Sequence, residues 1–362
     1  YSGLKVKSAH GGSVPPEVTE KIEALIPQGA LGSVERQGKI TGFNPWTSYC
    51  AGLQKLVDIA AIRSAVEAGK LRVVVDVMHG AASTGLEQML GVPVMEINSD
   101  RDPLFEGGAP EPLPKYLGKM FEKIKGLPVG PLTVGLVFDG DSDRIAAVDG
   151  QGNFLSSQIL IPILLEHLVE RRGFTGEVVK TVSGSQLMNL VAEKFGLAVY
   201  ETPIGYKYIG DRMLETKVLL GGEESGGIGY GHHIPERDAL LSALYVLETV
   251  VQSGKDLGDL HRDLQTMTGF TGCYDRIDLP LASMAVRAKL VDQLQNQPLG
   301  AIAGQAVMGC QTDDGYKFTL SDGRWLLIRF SGTEPVLRLY CEAATLDLVH
   351  ETLAWAKAWA EG

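Results

Sequence analysis

With 362 residues, 33 basic against 44 acidic side chains and a formal net charge of −11, the chain excludes nucleic acid as its main partner. No apolar run reaches the ~20 residues that cross a bilayer and no leader peptide is visible, so neither a membrane partner nor export is expected. A hydrophobic content of 44% supports several domains of about 150 residues each, with a substantial core. Cys50, Cys273, Cys310 and Cys341 are scattered and form no CxxC pair, which argues against structural zinc and fits a reducing, cytoplasmic setting.

Four blocks follow in chain order. Residues 1–42 hold a strand-like piece at Leu4–Lys7, a glycine turn at Gly11–Gly12 and a helix starting near Pro15–Pro16, where proline is tolerated in the first turn. About forty residues cannot bury a core of their own, so this block is expected to be the tail of a larger domain. Residues 43–150 predict a helix over 53–69, a strand into a loop over 71–83, a helix over 84–90, a strand near 92–97, a proline-rich stretch over 103–114 and a buried strand, VGLVF, at 134–138. Residues 151–268 repeat the alternation. They predict a helix over 158–171, a strand leading to a helix cap at Ser183 or Ser185, and a strand, turn and helix over 197–213. A strand, a glycine-rich loop and a long amphipathic helix over 217–254 complete the block. Such alternation argues for α/β units with largely parallel sheets. Residues 269–362 differ: strands over 305–311, 315–320, 325–330 and 336–342, turns such as Asp322–Gly323, and helices near 282–294 and 345–360 predict a small antiparallel α+β domain.

The apolar run at 134–138 ends in Asp139, Asp141 and Asp143, followed by Arg144. On a loop at a strand end, alternate carboxylates can converge on one hard divalent cation such as Mg²⁺ or Mn²⁺. A cation beside an arginine is equipment for handling phosphate. An EF-hand reading fails, because the sixth and twelfth positions from Asp139 are Arg144 and Gly150 where Gly and Glu are needed. A phosphatase of the haloacid-dehalogenase type, with Asp139 as nucleophile and Asp141 as acid/base, is the rival; that motif usually carries Thr or Val where this chain has Ser142. A solvated acidic turn is the bland alternative.

Further along, the sequence WLLIRFSGTEPVLRLYCEA delivers Arg329 on a strand, then Ser331, Gly332 and Thr333 in a turn, then Arg338 on the returning strand. Free backbone N–H groups, hydroxyls and bidentate arginines make a phosphate clamp, against the alternative of an ordinary hairpin with solvated arginines. In GGEESGGIGYG, Glu223 and Ser225 can hydrogen-bond sugar hydroxyls; the run is no dinucleotide fingerprint, since it does not open a helix as GxGxxG. Lys5 and Lys207 are loop lysines that a neighbouring charge could recruit as acid or base, or that are simply solvated.

In combination these stretches are recognisable. The chain resembles the α-D-phosphohexomutase family, which includes phosphoglucomutases and phosphomannomutases: DGDSDR is similar to its metal loop, GEESGG to its sugar-binding loop, RFSGTEPVLR to its phosphate-binding loop and YSGLK to its NGxK segment, in the family's order. The resemblance spans the whole chain. It implies repeated mixed α/β domains around a cleft plus a small C-terminal α+β domain of TATA-binding-protein-like form. The expected boundaries are 1–42 (the remnant of a first domain), 43–150, 151–268 and 269–362. It also implies a mutase that interconverts hexose 1- and 6-phosphates through a phosphoserine and a bisphosphate intermediate. Mg²⁺ would be held by Asp139, Asp141 and Asp143. Arg144 would bind the phosphoryl group, Glu223 and Ser225 the sugar, and Arg329, Ser331, Gly332, Thr333 and Arg338 the non-reacting phosphate. Lys5 and Lys207 become acid/base candidates and glucose 1,6-bisphosphate an activator.

The departure is at the start. The family's nucleophile lies in a TASHNP-like motif just before NGxK; no such segment occurs here, Ser2 replaces the usual Asn, and the echo Ser8–Ala9–His10 falls on the wrong side. The expectation is therefore a chain that lacks the phosphoryl-carrying serine and is inactive alone. GEESGG and TPIGYK lean toward glucose phosphates over mannose phosphates. Glucose 1,6-bisphosphate synthesis and non-catalytic sugar-phosphate binding are the further alternatives.

Overall fold

The structure, a computed structural model, describes residues 4–26, 29, 32, 38–332 and 334–362. Strands β1 (Leu71–Asp76), β2 (Met95–Ile97), β3 (Leu132–Phe138), β4 (Ile145–Val148) and β5 (Phe154–Leu155) form a first sheet in the order β2-β1-β3-β4-β5. Strands β6 (Glu177–Thr181), β7 (Val199–Thr202), β8 (Val218–Gly222) and β9 (Ile228–Tyr230) form a second in the order β7-β6-β8-β9. The two share one plan. In each, three strands run parallel and the third turns back into an antiparallel partner, β3 into β4 and β8 into β9. This is the repeated α/β architecture that the sequence leads one to expect. Strands β10 (Cys273–Pro280), β11 (Ala301–Ile302), β12 (Gln305–Gln311), β13 (Tyr316–Leu320), β14 (Trp325–Phe330) and β15 (Val336–Ala343) make a third, antiparallel sheet ordered β10-β15-β14-β13-β12-β11.

One core serves both α/β units. Val73, Leu136 and Phe138 of the first sheet join Val178 and Leu220 of the second through Leu160, Ile161 and Leu164 of the helix Ser157–Glu170 and Leu241, Leu244 and Tyr245 of the helix Ala239–Ser253. The helix expected to be amphipathic is buried at every position from 239 to 250, because it packs on β3, β4 and β9 and has no solvent face there. The third sheet has its own core, with the helices Met284–Asn296 and Leu346–Glu361 laid over Leu326, Ile328, Leu337 and Leu339. Its other face meets the second unit at a small apolar patch of Trp325, Leu327 and Tyr340 against Val182 and Ile204.

Three local expectations change. The helix expected over 53–69 is confined to Ile59–Glu67, because Asp58 caps its start by accepting the N–H of Ala61 at 3.0 Å, and a separate helix, Pro45–Leu53, precedes it. Residues 4–7 form no strand beyond a single bridge from Lys7 to Ser13, since no ladder partner lies alongside among the described residues. Ser185, not Ser183, is the helix cap; its Oγ accepts the N–H of Leu187 at 3.0 Å. Among the described residues, no helix is long and apolar enough to cross a membrane.

Gly229 on β9 has no room for a side chain: a Cβ would lie 1.8 Å from the Tyr206 hydroxyl oxygen and 2.7 Å from the Glu236 carbonyl oxygen. We expect Gly229→Ala to lower unfolding free energy by about 1–3 kcal/mol in a urea titration; an unchanged midpoint at unchanged slope would contradict this packing.

Candidate active site

The first loop begins where β3 stops. Asp139 is buried, and its two oxygens organise the turn: Oδ1 accepts the N–H groups of Asp143 and Arg144 at 3.0 and 2.9 Å, and Oδ2 accepts Arg144 Nε at 2.6 Å. Ser142 takes a positive φ of 62° to close the turn. One oxygen each from Asp139, Asp141 and Asp143 then lies within 4.8 Å of the others. The Lys5 ammonium bonds to Asp141 and, at 3.1 Å, to Asp143. Burial raises the Asp139 carboxyl in spite of Arg144. Burial also works on Asp141, but the Lys5 ammonium outweighs it and holds that carboxyl below the ordinary value.

The second loop begins at the matching place, the end of β8. Glu223 is buried, with Oε1 accepting the N–H of Gly205 at 3.1 Å and Oε2 3.7 Å from Arg237. Burial first, and the adjacent Glu224 next, push Glu223 up to about 7, against the pull of Arg237. The two loops are stitched together: the N–H of Ile145 donates to the carbonyl of Gly226 at 3.0 Å, and Arg144 and Gly227 form an antiparallel bridge. Gly226 must be glycine here, at a φ of 103° and with a Cβ position 2.6 Å from the Ile145 carbonyl oxygen. Arg237 ties them again, reaching Asp143 at 2.7 Å.

A cavity of about 350 Å³ lies between the loops, walled by the three aspartates, Lys5, Arg144, Gly205, Tyr206, Glu223, Ser225 and Arg237. Glu224 points away from it, accepting the Ser183 hydroxyl at 2.6 Å and facing Arg276 of the third sheet at 4.0 Å. Lys207 also stands apart. Its ammonium sits 4.7 Å from the centre of the Tyr208 ring and lines a neighbouring cleft with His10 and Glu236.

The third loop joins β14 to β15. Arg329 and Arg338 stand directly opposite each other on the ladder. Arg329 Nε is held by Asp314 and Arg338 Nε lies 3.8 Å from Asp278. Ser331 is pinned at both ends, its N–H bonding to the Val336 carbonyl at 3.0 Å and its own carbonyl accepting Arg287 Nε at 2.8 Å. Gly332 faces open space, and Thr333 lies outside the described residues. Arg329, Ser331, Gly332 and Arg338 do not line the acidic cavity. Of these, Arg329 connects to it through Asp314, which also accepts the N–H of Ile204, the neighbour of Gly205 in the cavity wall, at 2.7 Å.

Family models for phosphoglucomutase/phosphomannomutase match residues 47–152 as α/β/α domain II, 156–267 as α/β/α domain III and 283–354 as the C-terminal domain. The chain belongs to the phosphoglucomutase/phosphomannomutase family. A crystal structure of a Thermus thermophilus protein assigned as a phosphomannomutase superposes with a TM-score of 0.83 at 31% identity, covering 98% of this chain and 74% of that one. A phosphoglucosamine mutase of Limosilactobacillus reuteri is 29% identical over 97% of this chain and 72% of its own length. A phosphoglucomutase of Rhizobium radiobacter is 29% identical over 99% and 73%. These names span three sugars.

In this member of the family, the cavity residues that sequence reasoning missed are Arg237 and Tyr206. Arg237 sits just ahead of Asp238, which caps the helix Ala239–Ser253 by accepting the N–H of Leu241 at 2.9 Å. That cap is readable from sequence, but nothing in the letters ERD says that the arginine turns back 2.7 Å from a carboxylate in another unit. The shifted Glu223 gives a test. A folded-state value of about 7 against an ordinary 4.5 means the folded protein retains a proton that the unfolded chain has lost, so this group's contribution to stability falls as pH rises through that window. Relative to wild type, Glu223→Gln should gain about 3 kcal/mol of stability between pH 4 and pH 8 in urea titrations. A difference that does not vary with pH would contradict the burial of an ionisable Glu223.

Proposed function

We propose that this protein handles hexose 1- and 6-phosphates as a phosphohexomutase, with the glucose phosphates as its preferred pair. The observation that carries this reading is the single cavity in which the acidic triad and the Glu223–Ser225 loop face each other, the two loops hydrogen-bonded to one another and linked through Asp314 to Arg329. The three clustered carboxylate oxygens suit a small hard cation, so Asp139, Asp141 and Asp143 would hold Mg²⁺. When bound, Mg²⁺ supplies charge neutralisation for phosphoryl oxygens.

The chain's own groups do the rest. Arg144 and Arg237 present guanidinium N–H groups to the transferring phosphoryl group. Glu223 and Ser225 orient the sugar through its hydroxyls. Arg329, Ser331, Gly332, Thr333 and Arg338 hold the phosphate at the far end of the sugar. Lys5 is raised above the ordinary lysine value by Asp141 and Asp143, which outweigh burial, so it carries its proton at neutral pH and can give it to a departing oxygen. Lys207, which lines the neighbouring cleft, is the second acid/base candidate.

The match of residues 47–152 to the family's domain II favours the mutase over an aspartyl-phosphate mechanism at Asp139. The carrier serine of a TASHNP-like motif does not occur in the sequence, so these 362 residues do not turn over alone. On this reading residues 1–42 complete a first domain, glucose 1,6-bisphosphate is the activator, and the four free cysteines suit the cytoplasm. The GEESGG and TPIGYK segments favour glucose over mannose.

The decisive experiment couples glucose 6-phosphate formation to a dehydrogenase, with Mg²⁺, glucose 1-phosphate and catalytic glucose 1,6-bisphosphate. It is run on this chain and on one extended by a TASHNP-bearing first domain. Activity in the extended chain alone is expected, and turnover by the 362 residues would refute the serine assignment. In the extended chain Lys5→Ala should lower turnover at least about a hundredfold with little change in substrate affinity; an unaffected rate would remove Lys5 from the mechanism.

A further inference from the structure

Four charges stand in a row across the third sheet. Asp278 on β10 faces Arg338 on β15, Arg338 faces Arg329 on β14, and Asp314 lies beyond, just ahead of β13. Like charges directly opposed on an antiparallel ladder repel. The flanking carboxylates offset this, and not equally. Asp278 stays 3.8 Å from Arg338 Nε, whereas both oxygens of Asp314 accept Arg329 Nε at 2.9 Å. Arg329 is thus gripped by its inner nitrogen. Among the described residues neither of its two outer nitrogens makes a hydrogen bond, which leaves their N–H groups available to an anion.

Asp314 has a second task. Its Oδ2 accepts the backbone N–H of Ile204, a residue of the second α/β unit, at 2.7 Å. The next N–H along the chain, that of Gly205, donates to Glu223 Oε1 at 3.1 Å. Two successive N–H groups of one turn therefore bind two carboxylates, one behind the arginine of the third sheet and one in the wall of the acidic cavity. Around this joint the two units touch through the Val182–Trp325 patch and the Lys317–Glu201 pair at 3.3 Å.

We propose that Asp314 is a positioning residue: it aims Arg329 at the phosphate on the far end of the sugar and docks that arginine onto the turn at 203–205, so that phosphate and sugar hydroxyls are gripped at a set separation. The inference rests on the reading of Arg329 as a phosphate ligand and adds to it the residue that fixes its direction. Asp314 itself touches no substrate. Asparagine at 314 keeps an acceptor for Ile204 but loses the charge-assisted hold on Arg329.

The test is a double-mutant cycle by calorimetry, with glucose 6-phosphate titrated into the full chain at saturating Mg²⁺. Asp314→Asn should weaken binding about tenfold, Arg329→Ala at least as much, and the double variant no more than Arg329→Ala alone, because the two act as one unit. Wild-type affinity in Asp314→Asn, or an additive loss in the double variant, would overturn the proposal and reduce Asp314 to a structural role. Absence of glucose 6-phosphate binding to the wild type would instead strike the substrate reading. In that case the docking is judged by hydrogen exchange without ligand: Asp314→Ala should speed exchange of the Ile204 amide, and unchanged exchange there would overturn the proposal.

Discussion

The hydrogen bond from Ile145 to Gly226 is short-range and single, yet the site depends on it. Each α/β unit sends a loop out from the carboxyl end of its third strand, the place where open α/β sheets habitually bind ligands. Two such loops on independently placed domains would face each other only by chance. Here a shared core, threaded by a helix with no solvent face along 239–250, fixes the two sheets relative to one another. The bridge between Arg144 and Gly227 then sets the loops themselves. Gly226 makes the approach feasible, because any side chain would meet the Ile145 backbone.

The acidic net charge of the chain gives way to near balance inside the cavity. Asp139 has Arg144, Asp143 has Arg237 and Asp141 has Lys5. The pairings differ in firmness. Arg144 is bound to a buried carboxylate that also holds backbone N–H groups, while Lys5 is more than half exposed on a segment with little packing beneath it. A site arranged in this way keeps its shape through the arginines and can release its lysine. The third sheet repeats the economy: Arg338 stands opposite Asp278 of the neighbouring strand, and Arg329 is held by Asp314 just ahead of β13.

Much of this was legible. The apolar run ending in Asp139 announces a buried strand and a loop at its end, and the alternation of Asp with other residues over 139–143 places three carboxylates on one turn. The hairpin from Trp325 to Ala343 and the glycine turn at 323 that precedes it were equally plain. Less legible were the short strands β4 and β5, which are too brief for periodicity to show, and the break at Asp58 inside an apolar helical pattern. Glu224 misleads on spacing alone: it stands beside Glu223, but adjacent residues diverge at a strand end, and it turns to Ser183 while Glu223 turns to the cavity.

By itself the sequence determined which chemistry was available: hard oxygen donors on one loop, a carboxylate and a hydroxyl on another, arginines flanking a third, all in one family's order. Local rules of strand, turn and cap operate over a few residues, and these motifs obey them. Only the tertiary structure decided which residues share a cavity. It brought Arg237 to Asp143, set Lys207 in a neighbouring cleft, turned Glu224 outward and made Asp314 the joint between Arg329 and the turn at 204–205. Those contacts span residues far apart in the chain, and their geometry follows from how three sheets pack, which no local pattern encodes.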